Sequence, residues 1–323
     1  MPPAGAYGHS EGMRLERIAI VGSGAIGLYY GTQLALAGSD VRFLLRRDFE
    51  AVRAHGITVR VGDRVQAIPA GRVGAYASTA DIGPVDLVIV TLKTTANAQL
   101  ATLIPPLLGP ETAVLTLQNG LGSDELLARL CGAERVFSGL SFIASNRVGP
   151  GEVACFYPGT ITLGEFGCAA SERAQALGAL WTRAGVKCHV VDNVAEARWR
   201  KLIWNVPFNG LSIATGGLTT DRILADAGLA AEVRALMDEV TVAAHAMGLE
   251  IPESFIRGQL DVTPSLGAYK PSSLLDWQAG REVEVEAIWG EPLRRAQAAG
   301  APAPRLSLLY SLLRQLTSGG PAA

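Results

Sequence analysis

Lys201, Asn205 and Asn209 recur at intervals of four in RWRKLIWNVPFNGL. That spacing sets a lysine and two carboxamides on one face of a helix. Leu202, Ile203, Trp204, Val206 and Phe208 around them are apolar. Polar groups on an otherwise buried helix need partners. Either they form a satisfied network between helices, or they line a substrate pocket in which the lysine donates a proton. A lysine ammonium at hydrogen-bond distance from a bound group can stabilise negative charge developing on it and then deliver a proton. Pro207 lacks an N–H and disturbs the bond at Ile203, which predicts a kink beside these residues. Farther on, Pro271, Ser272 and Ser273 precede LLDW, and Glu282, Glu284 and Glu286 alternate after Arg281. On a helix Glu284 would share a face with Trp277, Gly280, Ile288 and Glu291, with the other two glutamates pointing elsewhere. Spacing alone does not choose among the three. His9, His55, His189 and His245 form no metal-binding or relay spacing.

A second constellation lies near the start. Gly22-Ser23-Gly24-Ala25-Ile26-Gly27 is G-x-G-x-x-G, between the apolar run Arg17 to Val21 and a helical stretch ending at Gly38. In that context the first glycine permits a tight turn and the second lets backbone approach a pyrophosphate. The third allows close helix–strand packing. The helix N-terminus then offers its free N–H groups to phosphate. Arg46 and Arg47 end the next apolar run, where an NAD-binding fold usually carries a carboxylate. A guanidinium there can pair with a ribose 2′-phosphate, so NADP(H) is expected rather than NAD(H). Lys93 ends VDLVIVTLK and Asn119 ends AVLTLQN, positions where open α/β sheets bind ligands.

These residues need a scaffold. Strand-like runs alternate with helical ones up to Asn193, which implies right-handed βαβ units and an α/β sheet. The run Val85 to Lys93 is largely apolar, as in a strand buried on both faces. Ile57–Val61 and Arg64–Ala70 read as a pair joined at Gly62-Asp63, and Gly151 to Phe166 as one or two antiparallel strands at the sheet edge. After Asn193 the texture is helical throughout. The expected division is a flexible leader over 1–13, a Rossmann-type domain over 14–193 and an all-helical domain over 194–323. Of the 323 residues 49% are hydrophobic and 18% charged, enough to bury two cores. A net charge of -2 gives no reason to bind nucleic acid or a membrane surface. No apolar run approaches the ~20 residues of a membrane span. Four separated cysteines without C-x-x-C point to reduced thiols, a cytoplasmic setting and no zinc site.

AIVGSGAIG, VIVTLKT, TLQNGLG, RWRKLIWNVPFNGL and KPSSLLDWQAGREVEVEAIWGEPLRRA follow one another in that order. Together they resemble ketopantoate reductase (2-dehydropantoate 2-reductase) over about residues 16–317. The resemblance implies a Rossmann domain followed by a helical domain of the 6-phosphogluconate-dehydrogenase type, with the site in the cleft between. It implies NADPH-dependent reduction of a small anionic 2-oxo acid, ketopantoate, to pantoate on the way to pantothenate and coenzyme A. By motif, Lys201 would be the general acid, and Asn205 and Asn209 would bind substrate. Glu284, chosen by aligning A-G-R-x-x-E, would hold the substrate hydroxyl, and Ser273 its carboxylate. Lys93 and Asn119 would line the nicotinamide side, and Arg46 would meet the 2′-phosphate. Two features depart from other members: the segment from Ser273 to Glu284 is one residue shorter, and Lys270-Pro271 stands where an asparagine is usual. Lys270 would add a cation for an anionic substrate, which keeps open a related NADP-dependent reductase of another 2- or 3-oxo acid. A non-catalytic NADP(H) sensor would leave the Lys201 face unexplained. Either a monomer or a homodimer fits the sequence.

Overall fold

The computed structural model describes residues 13–318; the proposed leader, Met13 excepted, lies outside the described residues. Two compact units emerge. The first holds the described residues up to Leu92, with Leu100–Leu117 and Leu127–Asp192. The second holds Lys93–Gln99, Gln118–Leu126 and the described chain from Asn193 onward. The second unit thus includes two short excursions, one following each of two strands of the first.

The first unit is built on a ten-stranded sheet. Its strands are β1 (Arg17–Val21), β2 (Asp40–Leu44), β3 (Ile57–Val61), β4 (Arg64–Ile68), β5 (Gly74–Tyr76), β6 (Val85–Val90), β7 (Leu108–Thr116), β8 (Val136–Gly149), β9 (Glu152–Glu165) and β10 (Lys187–Val190). Strands β5-β2-β1-β6-β7-β8 lie in that order and are all parallel, the doubly wound order of a dinucleotide-binding half-sheet pair. Strand β6 is buried at every position: its other residues are apolar, and the Asp86 carboxylate accepts from the Arg17 guanidinium and from the backbone N–H groups of Glu16 and Arg17. The hairpin β3–β4 is antiparallel and turns at Gly62-Asp63, with Val61 opposite Arg64.

Two features depart from the sequence reading. Strand β8 has no sequence signal of its own: its first six residues are buried and its far half is largely exposed, so no single period marks it. Strand β9 is one long strand, antiparallel to β8, with β3 and β10 on its other side, and therefore interior rather than at the edge.

Helix α1 (Ala25–Leu36) follows β1. The chain turns out of it at Gly38 (φ 100°), where the Ser39 N–H donates to the Leu34 carbonyl, a glycine-type C-terminal closure. A Cβ on Gly31 would stand 2.3 Å from the Phe43 ring, so the helix presses directly on the sheet. Helices α2 (Phe49–His55), α3 (Thr79–Ile82) and α4 (Leu100–Leu103) come next, then α5 (Ser123–Cys131), which the division cuts after Leu126, and α6 (Glu172–Arg183).

The second unit is helical: α7 (Val194–Ala214), α8 (Thr220–Ala225), α9 (Ala227–Ala246), α10 (Glu253–Val262), α11 (Ser272–Gln278), α12 (Glu291–Ala298) and α13 (Pro304–Ser318). Helix α7 packs against α9, α11 and α13. It buries Trp199, Leu202, Ile203, Val206, Phe208 and Ile213 in a core shared with Val240, Trp289 and Leu309. Pro207 lies within α7, yet the helix runs through it unbroken from Val194 to Ala214. The Trp289 indole N–H donates to the Val206 carbonyl (2.9 Å), which ties α7 to a wide turn at Glu286–Gly290. Residues 281–284 are not helical, so the helix expected across all three glutamates begins only at Val285. Among the described residues no helix is long and apolar enough to cross a membrane.

Candidate active site

Because both excursions belong to the second unit, Lys93, Asn119, Lys201 and Glu284 meet within one body. The Lys201 ammonium donates to Oδ1 of Asn119 at 2.7 Å. Nδ2 of the same amide faces Oε2 of Glu284 at 3.4 Å. The amide orientation follows from its neighbours, since a lysine can only donate and a carboxylate can only accept. Glu284, 5% exposed, also accepts the Thr94 backbone N–H (2.9 Å) and faces the Lys93 ammonium (3.3 Å). Lys93 in turn reaches Asp276 at 2.5 Å. The non-helical backbone before Val285 delivers Glu284 to this cluster. Glu282 is exposed, and Glu286 is exposed and engaged by Arg294 and Tyr310.

Asn119 is held by a tight turn. Gly120 has φ 73°, and a Cβ there would stand 2.2 Å from the Ala287 carbonyl oxygen. The same carbonyl accepts the Leu121 N–H at 3.0 Å. Only glycine therefore fits after Asn119, and the Asn-Gly pair does more here than close an ordinary turn.

The electrostatics separate the two lysines. Burial pushes Lys201 down to about 8; the cation of Arg198 and, more weakly, that of Lys93 act in the same direction, against Glu284. Partial burial alone would also lower Lys93, but the carboxylates of Glu284 and Asp276 outweigh it and hold Lys93 above the ordinary lysine value. One lysine is thus held as a cation, and the other is brought near neutrality, where a lysine is suited to proton transfer.

On the helix face of Lys201, Asn205 and Asn209 are both buried. Asn209 Oδ1 accepts the Ser273 backbone N–H at 2.9 Å, so this amide seats the start of α11 and places Ser273, which is 3% exposed. The Asn205 side chain has no hydrogen-bond partner among the described residues, which leaves its amide for a ligand. Lys270 is exposed and donates to Gln278 at 3.2 Å, outside the cluster around Lys201. The sequence reading missed Asp276 and Arg198. Asp276 is the single acid in SSLLDWQ, three residues after Ser273, and Arg198 lies three residues before Lys201 on the same helix.

The first unit carries the glycine loop. Gly22 has φ 114°, and a Cβ on it would stand 2.3 Å from the Leu92 nitrogen. Gly24 is exposed, a Cβ on it would meet nothing within 4 Å, and α1 begins there without a side-chain cap. A Cβ on Gly27 would stand 2.2 Å from the Gly22 carbonyl oxygen. The Ser23 hydroxyl donates to the Leu44 carbonyl (2.7 Å) and that of Thr91 to the Gly22 carbonyl (2.6 Å), which locks the loop to the ends of β2 and β6. Ala25 and Ile26 open the helix. An open backbone at Gly24 beside an uncapped helix start fits a pyrophosphate. Arg46 and Arg47 are exposed after β2, whereas Asp48 is buried, paired with Arg147 and bonded to the Gly151 N–H. The carboxylate nearest the end of β2 is therefore already spent.

Two family models match the chain: "Ketopantoate reductase PanE/ApbA" over residues 18–167 and "Ketopantoate reductase PanE/ApbA C terminal" over 193–317. A 2-dehydropantoate 2-reductase of Nostoc is 40% identical over 309 residues, covering 94% of this chain and 96% of its own. The crystal structure of 2-dehydropantoate 2-reductase from Geobacter metallireducens superposes with a TM-score of 0.89 at 44% identity, covering 93% of this chain and 99% of that one. That from Methylococcus capsulatus gives 0.87 at 32% identity, covering 95% and 98%. With this glycine loop, this sheet order and these relatives along nearly its whole length, the chain belongs to the ketopantoate reductase family.

Proposed function

We propose that this protein reduces 2-dehydropantoate to (R)-pantoate with NADPH, in the cytoplasm, as a step toward pantothenate and coenzyme A. The observation that carries the reading is Lys201: a lysine brought to about 8, oriented by Asn119 and standing on the face that also presents Asn205. Its relatives' shared name supplies the substrate.

NADPH, when bound, supplies the hydride. The Gly22–Gly27 loop and the uncapped start of α1 would receive its pyrophosphate, and Arg46 its 2′-phosphate. The chain's own residues do the rest. Asn205 and Ser273 orient the small anionic 2-oxo acid. Lys201 donates a hydrogen bond to the ketone oxygen, stabilises the charge that develops there and delivers its proton to give the alcohol. Asn119 aims the ammonium. Glu284 keeps an anion near it, so that it is still largely protonated at neutral pH, and accepts from the substrate hydroxyl. Lys93 neutralises Glu284 and Asp276 and keeps that carboxylate in place.

The direct test is NADPH oxidation with ketopantoate against a panel of 2- and 3-oxo acids. Ketopantoate is expected to give the highest kcat/KM. A different preferred acid would replace the substrate, and binding of NADPH without turnover of any acid would overturn the enzymatic reading.

Cofactor choice gives a separate prediction. Arg46→Ala is expected to raise the KM for NADPH about 10- to 100-fold, the loss of a charge-assisted pair, and to leave that for NADH unchanged. Asp48, held by Arg147 and Gly151, offers nothing to a free ribose 2′-hydroxyl. An equal rise for both cofactors would remove Arg46 from the phosphate site.

A further inference from the structure

We propose that Arg198 is a positioning residue of this site: anchored by Asp124, it grips the carbonyls on either side of Asn119 and so holds that amide between Lys201 and Glu284. The inference rests on the role given to Lys201 above.

The geometry is specific. Nη1 of Arg198 donates to the Gln118 carbonyl at 3.1 Å and to the Gly120 carbonyl at 3.0 Å. Nε pairs with Asp124 at 3.1 Å, with side chains only 4% and 9% exposed. Asn119 lies between the two gripped carbonyls, and its backbone has little freedom while both are held. Gln118 is fixed from a second direction, donating to Asn97 Oδ1 (2.7 Å), whose own amide donates to the Ser123 hydroxyl (3.1 Å). A guanidinium suits the task because its planar fork supplies several donors in fixed directions.

Burying a cation in the helical core is costly unless each partner is in place. A merely structural tie between α7 and the turn needs no charge. The charge has an effect one turn along the helix. After burial, Arg198 is the largest influence lowering Lys201, with Lys93 adding to it and Glu284 opposing it. One side chain thus sets both where the Lys201 ammonium points, through Asn119, and how readily it releases its proton.

The chain has four lysines, Lys93, Lys187, Lys201 and Lys270, so carbon-13 labelling at lysine Cε gives an NMR titration with few signals. In the intact protein the Lys201 signal is expected to titrate near 8. Three variants then separate position from charge. Arg198→Met loses grip and charge: kcat falls about 100-fold, as for a misplacement of about 1 Å, and the Lys201 midpoint moves alkaline. Arg198→Lys keeps the charge but not the fork: the midpoint stays near 8 and kcat recovers in part. Asp124→Asn loosens the anchor but leaves the cation uncompensated, so kcat falls while the midpoint does not rise. Because Arg198→Met strands the Asp124 carboxylate, Arg198→Met/Asp124→Asn is measured beside it and gives the same alkaline shift in a chain without the stranded charge.

If all variants move the midpoint upward together, loosening of the pocket explains them and the proposal fails. An Arg198→Met enzyme with normal kcat and an unmoved midpoint also overturns it. The titration needs no turnover. It therefore judges Arg198 even if the native protein reduces no 2-oxo acid, a result that would count against the proposed function instead.

Discussion

Lys201→Met is expected to lower kcat for 2-oxo acid reduction about a hundred- to ten-thousand-fold, with the Kd for NADPH unchanged. Methionine keeps an unbranched stem of similar length, and the α7 residues Leu202, Ile203 and Phe208 stay in their core. What disappears is the donor aimed by Asn119. On the proposed reading substrate still meets Asn205 and Ser273, so the loss falls on kcat more than on KM, the pattern of an interaction made chiefly in the transition state. Steady-state kinetics with fluorescence titration of NADPH reads both quantities. A Lys201→Met enzyme with near-normal kcat would remove the lysine from the chemistry.

The pH dependence has a definite sign. Lys201 must be protonated to donate, so reduction is fastest below about 8 and declines as pH rises through it. Oxidation of the product alcohol needs the neutral amine and rises through the same midpoint. Stability follows the opposite logic from activity. The folded lysine releases its proton near 8 and the unfolded one near the ordinary 10.5. Below 8 the buried charge therefore costs stability, and the cost disappears as pH climbs toward 10.5. At pH 7 Lys201→Met is accordingly expected to melt at no lower temperature than the native protein, although its kcat is far lower. That combination marks a residue kept for its chemistry.

Much of this was legible because it is local. The glycine loop, the strand before it and the Lys201–Asn205–Asn209 face each depend on spacing within one or two elements. The unread parts are pairings between distant segments. Asp276 meets Lys93 across 183 residues, and Arg147 captures Asp48 across 99. No period announces either. Nothing in the spacing of RWRKLIWN sets Arg198 apart from Arg200, yet it is buried because two backbone carbonyls and a carboxylate await it. The three alternating glutamates stayed open for another reason. Their segment reads as helix, but 281–284 are irregular, and only an irregular approach turns Glu284 inward while Glu282 and Glu286 stay outside. Motif alignment pointed to Glu284, the glutamate that meets Lys93, Thr94 and Asn119 here, where spacing did not choose.

Glu284→Gln tests that cluster from its acidic side. The amide keeps one oxygen to accept the Thr94 N–H but presents its NH2 to Lys93 and to Asn119 Nδ2, both of them donors. Donors facing a donor cost about 1–3 kcal/mol, and Lys93 is left to Asp276 alone. Asn119 loses the acceptor on one side, so its oxygen is no longer fixed on Lys201, and kcat/KM is expected to fall about 10- to 100-fold. The charge change carries the sharper signature. Glu284 is the anion that supports the Lys201 ammonium, so its removal drops the Lys201 midpoint below 8 and brings the decline in reduction to lower pH. Arg198→Met moves the same midpoint the other way. General loosening of the fold would expose Lys201 and raise it in both, so opposite shifts can come only from two charges acting on one lysine. Glu286→Gln, at an exposed side chain that bonds Arg294 and Tyr310, is expected to leave rate and midpoint unchanged. If it matched Glu284→Gln, or if Glu284→Gln left the midpoint in place, Glu284 would not be the carboxylate that works with Lys201.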